Sequence, residues 1–148
     1  MESRRSAGRG CNACETDHGP KPFVMNIARE ARQNQNFRTA SWTGCHLQMT
    51  LMHIPVRGEI GVEAHMDADQ FLRVEEGEAL VRMGTCKEKL NFRRQLCVGD
   101  GVFVPGGTWH NVFNTGNCPL KLSSFYAPPQ HPRGTIHCTE SDAGHGEG

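Results

Sequence analysis

Apolar and polar residues alternate along much of the chain, and the clearest case is the segment HLQMTLMHIPV at residues 46–56. The two sets are Leu47, Met49 and Leu51 on one side, and His46, Gln48 and Thr50 on the other. Because successive side chains of a strand point to opposite faces, this pattern predicts a strand with one buried face.

Further segments of strand length follow, and each is bounded by Gly, Pro, Asp or Asn. They are residues 60–65, 70–77, 78–84, 100–107, 108–116 and 120–128. Turn residues at intervals of about 8–12 positions are typical of an all-β sandwich or barrel, and not of alternating strands and helices. A polar stretch at residues 25–36 is compatible with a short helix, which would need docking to persist.

The chain has 148 residues, enough for one domain with tails. Residues 1–21 contain few apolar side chains and are predicted to form a mobile leader. Residues 141–148 have a similar composition and predict a flexible C-terminal tail. The continuous sequence between them, residues 22–140, is predicted to be the single domain.

The charge balance, the apolar runs and the cysteines of the chain limit the partners, the location and the thiol chemistry that we expect. Lys plus Arg equals Asp plus Glu at 16 each, so no overall field favours nucleic acid or an acidic membrane. No apolar run approaches the roughly 20 residues that span a bilayer, and no signal-peptide pattern is evident. We therefore expect a cytoplasmic protein whose partner is a small molecule or another protein chain. The seven cysteines predict free thiols, including Cys11 and Cys14, whose C-x2-C spacing lacks a second ligand pair.

Four side chains are placed to converge inside such a barrel. Glu63 and His65 are two positions apart and share a strand face. Gln70 begins the next segment, and a hairpin would bring it back beside them. His110 lies on a later strand. This donor set predicts a metal site formed by Glu63, His65, Gln70 and His110.

Other interpretations of these residues remain open. Asp69 competes with Gln70, although alternation lets only one of them face inward. Glu63 could instead be an exposed glutamate paired with Arg73 or Arg82. The histidines could be core residues whose hydrogen bonds are satisfied, in a barrel without a metal.

Two motifs resemble those of the cupin superfamily. Residues 58–77, GEIGVEAHMDADQFLRVEEG, follow the first motif in frame. There Glu63 replaces the first histidine of the usual pair, and Gln70 replaces the usual glutamate. The second motif, Gly-x5-Pro-x-Gly-x2-His-x3-Asn, is matched at every fixed position: Gly99, Pro105, Gly107, His110 and Asn114.

The resemblance extends from about residue 22 to residue 143 and is strongest to small single-domain bacterial cupins. Members of that group are often labelled mannose-6-phosphate isomerase-like, which reflects shared topology more than a substrate. The resemblance implies a double-stranded β-helix, or jelly-roll barrel, with a short N-terminal helix or arm, and a homodimer. It also implies one divalent metal per chain, and the mixed N/O donor set admits Zn, Fe, Mn, Ni or Co.

The expected function is a metalloenzyme acting on a small polar organic molecule, of the isomerase, dioxygenase or lyase type. Glu63 could double as a general base, and Tyr126 could be a general acid at the barrel mouth or a structural residue. His131 and His137 are weaker candidates in a Pro-rich segment that could fold over the pocket. The alternatives are a non-catalytic metal-dependent binding or sensor protein, and an interaction protein with a vestigial pocket.

Overall fold

The computed structural model describes residues 16–146. Within that range the helices are α1 (Ile27–Gln33) and α2 (Glu140–Gly146). The strands are β1 (Arg38–Thr43), β2 (Gln48–Ile54), β3 (Asp69–Glu76), β4 (Ala79–Gly84), β5 (Phe92–Leu96), β6 (Gly101–Val104), β7 (Trp109–Asn114), β8 (Leu120–Ala127) and β9 (Ile136–His137). The prediction of an all-β chain with one short N-terminal helix is confirmed.

The strands form two antiparallel sheets. One has six strands in the order β6-β3-β8-β2-β1-β9, and the other has three in the order β5-β4-β7. Buried apolar side chains from both sheets form a single core, which includes Leu72 and Leu122 from the large sheet and Val81 and Val112 from the small one. This arrangement is the jelly roll that the resemblance to cupins implied.

The sequence predicts seven apolar core or pocket-lining positions, and most of them are buried: Val62, Leu72, Val74, Leu80, Val102, Val104 and Val112 are the predicted set. Leu72, Val74, Val102, Val104 and Val112 are each at most 6% exposed. Burying side chains of this size contributes about 1.5–3 kcal/mol each. Two expected core residues differ. Val62 is 44% exposed, and Leu80 lies on the half-buried outer face of β4.

Strand β2 is buried on both faces, so the prediction of one buried and one solvent-facing side was wrong. Met49 and Leu51 pack outside the barrel against Ala31 of α1, while Met52 and Ile54 belong to the barrel core. Helix α1 covers the outer face, and this cover is why both sides of the strand exclude water. The side chain of Asn26 caps that helix by accepting a hydrogen bond from the Arg29 N–H at 2.9 Å.

The predicted strand at residues 60–65 is not formed. This segment is irregular and pairs with β7 at two isolated bridges, Glu59–Phe113 and Glu63–His110. Gly61 adopts a φ of +106°, and its N–H donates to the Asn111 side chain at 2.8 Å rather than to a ladder partner. Such a backbone conformation interrupts regular strand geometry.

The predicted hairpin that would return Gln70 beside Glu63 is also absent. Strand β3 pairs with β6 and β8 in the large sheet, whereas Glu63 is bridged to the small sheet. Alternation along a strand determines which face a side chain occupies but not which strand it pairs with. The candidate donors therefore come from opposite sheets.

The structure adds strands that the alternation did not indicate. β5 is mostly exposed, and its sequence FRRQL reads as a charged loop. β1 carries mixed polar residues although four of its six side chains are buried. β9 is only two residues long.

Both predicted tails contain segments that pack on the barrel. Asp17 is 2% exposed, and its carboxylate accepts hydrogen bonds from the Thr43 hydroxyl at 2.7 Å and the Gly134 N–H at 2.8 Å. Ala143 of α2 is buried in the core cluster. Polar segments can thus be ordered by a few buried contacts.

The remaining predictions concern the state of the thiols and the presence of a helix that could span a membrane. Cys11 and Cys14 lie outside the described residues, whereas Cys45, Cys86, Cys97 and Cys118 are free thiols. Across residues 16–146, no helix is long and apolar enough to cross a membrane.

Candidate metal centre

Glu63 and His110 are locked together through their backbones. The Glu63 N–H donates to the His110 carbonyl at 3.0 Å, and the His110 N–H donates to the Glu63 carbonyl at 2.9 Å. Residues paired in this way across two strands direct their side chains to the same face. The bridge accordingly brings the Glu63 carboxylate and the His110 imidazole together near the start of β7.

His65 is held by the turn that precedes β7. The Gly107 N–H donates to the His65 carbonyl at 2.9 Å, and Gly107 has a φ of +83° that favours glycine. Donor atoms of Glu63, His65 and His110 all lie within 4.8 Å of one another. The Oε2 of Glu63 is 3.6 Å from the Nε2 of each histidine.

The hydrogen bond of His110 and the ionisation of Glu63 leave both side chains able to donate lone pairs to a cation. The Nδ1 of His110 is 3.0 Å from the Thr108 carbonyl, which can only accept. A proton is therefore on Nδ1, which leaves Nε2 as the ring nitrogen that a metal would bind. Burial acts to raise the pKa of Glu63, but the His110 and His65 imidazoles outweigh it and lower that pKa well below its usual value. The Glu63 side chain is thus a carboxylate at neutral pH.

Gln70 faces the barrel interior and Asp69 does not. Gln70 is 4% exposed, and its Nε2 donates to the Ser124 hydroxyl at 2.9 Å, which leaves its Oε1 directed elsewhere. Asp69 is exposed and accepts a hydrogen bond from the Gly106 N–H at 2.9 Å. Of these two alternatives, the structure favours Gln70 as an inward donor. Arg73 pairs with Glu75, so it does not neutralise Glu63.

Buried side-chain atoms that lack a hydrogen-bond partner indicate whether a metal ion fits between the candidate ligands. Among the described residues, the buried side-chain atoms without a hydrogen-bond partner include Glu63 Oε2, His65 Nε2, Gln70 Oε1 and His110 Nε2. Leaving a buried polar atom unpaired costs about 1–3 kcal/mol, and more for a charged group. Each of the four sequence-predicted ligands contributes one such atom, and all are lone-pair donors that a cation would satisfy.

Tyr126 of β8 lies beside His65 of the candidate metal centre. It is fully buried, its ring is edge-on to that of His65 at a centroid distance of 5.4 Å, and burial raises the pKa of its phenol. Its hydroxyl is a buried atom without a partner in residues 16–146. Gln70 is its neighbour on β3.

A cavity of about 940 Å³ opens beside Glu63 and His65. His131 and Arg38 line it, and Trp109 and α2 form other parts of the wall. His131 comes from the Pro-rich segment after β8, which folds over the barrel, and its ring is edge-on to Tyr126 at 5.2 Å. From the sequence alone, His131 is only a weak candidate and Arg38 is not a candidate. The available signal for Arg38 was a lone cation inside the otherwise uncharged strand segment RTASWT.

A family model for the cupin domain matches residues 50–126, about half of the chain. The chain belongs to the cupin family. The expected resemblance is therefore confirmed, although the mannose-6-phosphate isomerase-like label gains no support.

Relatives of this cupin reinforce the assignment. It is 54% identical to the uncharacterised protein YrkC of Bacillus subtilis over 139 residues, which is 94% of this chain and 75% of that protein. The crystal structure of BH2720 from Bacillus halodurans has a TM-score of 0.87 and 56% identity, covering 88% of this cupin and 98% of that chain. A predicted oxalate decarboxylase from Thermotoga maritima has a TM-score of 0.51 and 19% identity, covering 57% of this cupin and 69% of that chain, and this likeness concerns the fold alone.

Proposed function

We propose that this cupin binds one divalent transition metal through Glu63, His65, Gln70 and His110, and that it is a metalloenzyme acting on a small polar organic molecule. One observation carries the proposal: each of these residues presents a buried donor atom that has no other partner among the described residues. The adjoining cavity supports it, because a cavity of about 940 Å³ can admit a small molecule beside Glu63 and His65.

The donor set defines the class of metal. Two imidazoles, one carboxylate and one amide oxygen form a mixed N/O set, which suits Zn, Fe, Mn, Ni or Co. When bound, such an ion would act as a Lewis acid toward a substrate oxygen or lower the pKa of a water molecule. Isomerase, dioxygenase and lyase reactions all use such chemistry.

The chain's own residues suggest a division of roles. Because its pKa is depressed, Glu63 is better suited to be a ligand than the general base that the sequence also allowed. Tyr126 keeps its proton at neutral pH, because burial raises its pKa, and it would serve as a hydrogen-bond donor.

A non-catalytic metal-dependent binding or sensor protein is the second candidate. It is favoured by the shortage of proton-transferring groups on the cavity wall. Tyr126 does not line the cavity, and burial followed by the charge of Arg38 lowers the pKa of His131 to about 3. A metal-loaded protein that binds small molecules but converts none of them would support this candidate.

The metal itself is tested by elemental analysis of untagged protein grown with Zn, Fe, Mn, Ni and Co. We expect one equivalent of a transition metal per chain, lost in His110→Ala. His46→Ala is the matched control, because His46 is exposed and distant along the chain. A wild-type protein that takes up no metal would contradict the proposal and favour an interaction protein with a vestigial pocket.

A cytoplasmic location and a homodimer remain predictions. Exposed apolar side chains on and beside the large sheet support the dimer: Phe103 is 75% exposed, Leu47 just before β2 is 45% exposed, and the ring centroids of Phe103 and Phe71 lie 4.7 Å apart. Patches of this kind often mark interfaces. Sedimentation of the wild type and Phe103→Glu would test it, and a wild-type monomer would contradict the dimer.

A further inference from the structure

A buried arginine shares the cavity with the candidate metal centre. Arg38 lies on β1 and is only 3% exposed, yet it lines the same cavity as Glu63 and His65. Arginine is rarely buried without an ionic partner, because removing its charge from water is expensive. A buried arginine at a cavity wall therefore requires a physical explanation.

The contacts of Arg38 do not neutralise its charge. One guanidinium nitrogen lies 3.0 Å from the Nδ1 of His137, and the guanidinium carbon lies 5.4 Å from the Phe37 ring centroid. Its Nε is buried and has no hydrogen-bond partner. Across residues 16–146, no carboxylate forms an ion pair with it.

The carboxylates of the cavity are already accounted for. Glu63 contacts the two imidazoles of the candidate centre, and Glu140 is exposed on α2. His131 does not offset the cation, since its lowered pKa keeps it neutral at pH 7. Among the described residues, the cavity thus has on one wall a positive group without an ion-pair partner, and on another a candidate metal centre.

We propose that Arg38 anchors an anionic group of the small molecule, and that this group is a carboxylate. This inference rests on the proposed function, because a second polar group of the same molecule would lie at the metal centre. A guanidinium matches a carboxylate in planar, two-point geometry. Arg38 is the only cationic side chain among the described residues that line this cavity, and one positive charge balances a carboxylate but not a phosphate dianion.

The test measures calorimetric binding of oxalate, malonate and succinate, each against its monoamide, to cobalt-loaded protein. We expect wild type to bind the best-fitting diacid roughly 10- to 100-fold more tightly than its monoamide, as is typical of charge-assisted hydrogen bonds. Arg38→Met should abolish this preference, and Arg38→Lys should retain part of it. Arg94→Met is the matched control, since Arg94 is exposed on β5.

The outcomes separate this inference from the proposed function. Equal diacid binding by wild type and Arg38→Met, both with cobalt bound, would overturn the role of Arg38 and leave the metal centre intact. Weaker cobalt binding by folded Arg38→Met would also overturn it, because removing a nearby positive charge should not weaken a cation site. Tighter binding of inorganic phosphate than of every diacid would overturn the carboxylate assignment.

The inference can still be decided if wild type binds no cobalt or if the Arg38 variants unfold. If wild type binds no cobalt, the proposed function fails, and the same titration of metal-free protein decides whether Arg38 alone binds carboxylates. If both Arg38 variants unfold, the wild-type preference for diacid over monoamide still decides, and its absence overturns the inference.

Discussion

Glu63 and His110 exchange two backbone hydrogen bonds, and the same two residues bring a carboxylate Oε2 and an imidazole Nε2 to 3.6 Å. The backbone bridge fixes the side chains that meet at the candidate metal centre. Donors that are held in place before binding cost less entropy to organise. Substitutions of these side chains should therefore change metal binding much more than folding.

Replacing Glu63 with glutamine should remove the only carboxylate of the donor set while keeping its shape. We expect metal affinity to fall by more than about 100-fold, because even the hydrogen-bond partners behind metal ligands are worth 10- to 100-fold. Competition with a chromophoric chelator measures this change. Glu78→Gln is the matched control, since Glu78 is exposed. An affinity within about threefold of wild type would remove Glu63 from the ligand set.

Replacing Gln70 with glutamate should tighten metal binding. A carboxylate in place of the neutral amide adds a charge beside the cation, and we expect a gain of about tenfold or more. Gln95→Glu adds the same charge at an exposed position of β5 and should have no such effect. Unchanged affinity in Gln70→Glu would show that Gln70 does not contact the metal.

Asn114 should stabilise the fold without contributing to the metal centre. Its amide nitrogen donates to the carbonyls of Ile54, Pro55 and Cys118 at 2.9–3.2 Å, and its Oδ1 accepts from the Gly116 N–H at 2.9 Å. Asn114→Ala would leave these buried groups unpaired and should cost roughly 2–4 kcal/mol.

Urea denaturation of metal-free protein measures that cost, and the exposed Asn117→Ala serves as its control. Equal unfolding free energies for Asn114→Ala and wild type would contradict the structural role.

Acidification should destabilise the protein through His131. Burial, and then the charge of Arg38, lower the pKa of His131 from 6.5 to about 3. Below pH 6.5 the unfolded chain binds a proton that the folded chain does not, so stability falls as the pH falls toward 3. The loss between pH 7 and pH 5 should be about 1–2 kcal/mol.

His131→Asn should lose less stability over the same interval. His53, whose pKa is also lowered by burial and by Lys121, contributes equally to both proteins. Glu63 does not interfere, since its lowered pKa matters only below about pH 4.5. Parallel pH profiles of wild type and His131→Asn, from denaturation of metal-free protein, would contradict this account.

The sequence predicted much of the scaffold, because the alternation of apolar residues and the turn residues report local geometry. Alternation along β7 placed His110 on the same face as Val112, and alternation along β3 placed Gln70 rather than Asp69 on the inward face. Both inferences needed only a strand and its two faces.

What the sequence did not reveal depends on contacts between distant segments. The bridge of Glu63 to His110 replaced the expected hairpin, because facing direction does not specify the pairing partner. Arg38 lines the cavity from β1, and the polar sequence of that strand does not indicate that most of its side chains are buried. Helix α1, which ends about 15 residues before β2 begins, covers the outer face of that strand.

The most direct test of the metal centre is anomalous diffraction from crystals of the metal-loaded protein, recorded at the absorption edge of the bound metal. The account predicts one strong peak per chain, within bonding distance of Glu63 Oε2, His65 Nε2, Gln70 Oε1 and His110 Nε2. A peak elsewhere on the chain, or bonds to His65 and His110 from separate ions, would contradict it.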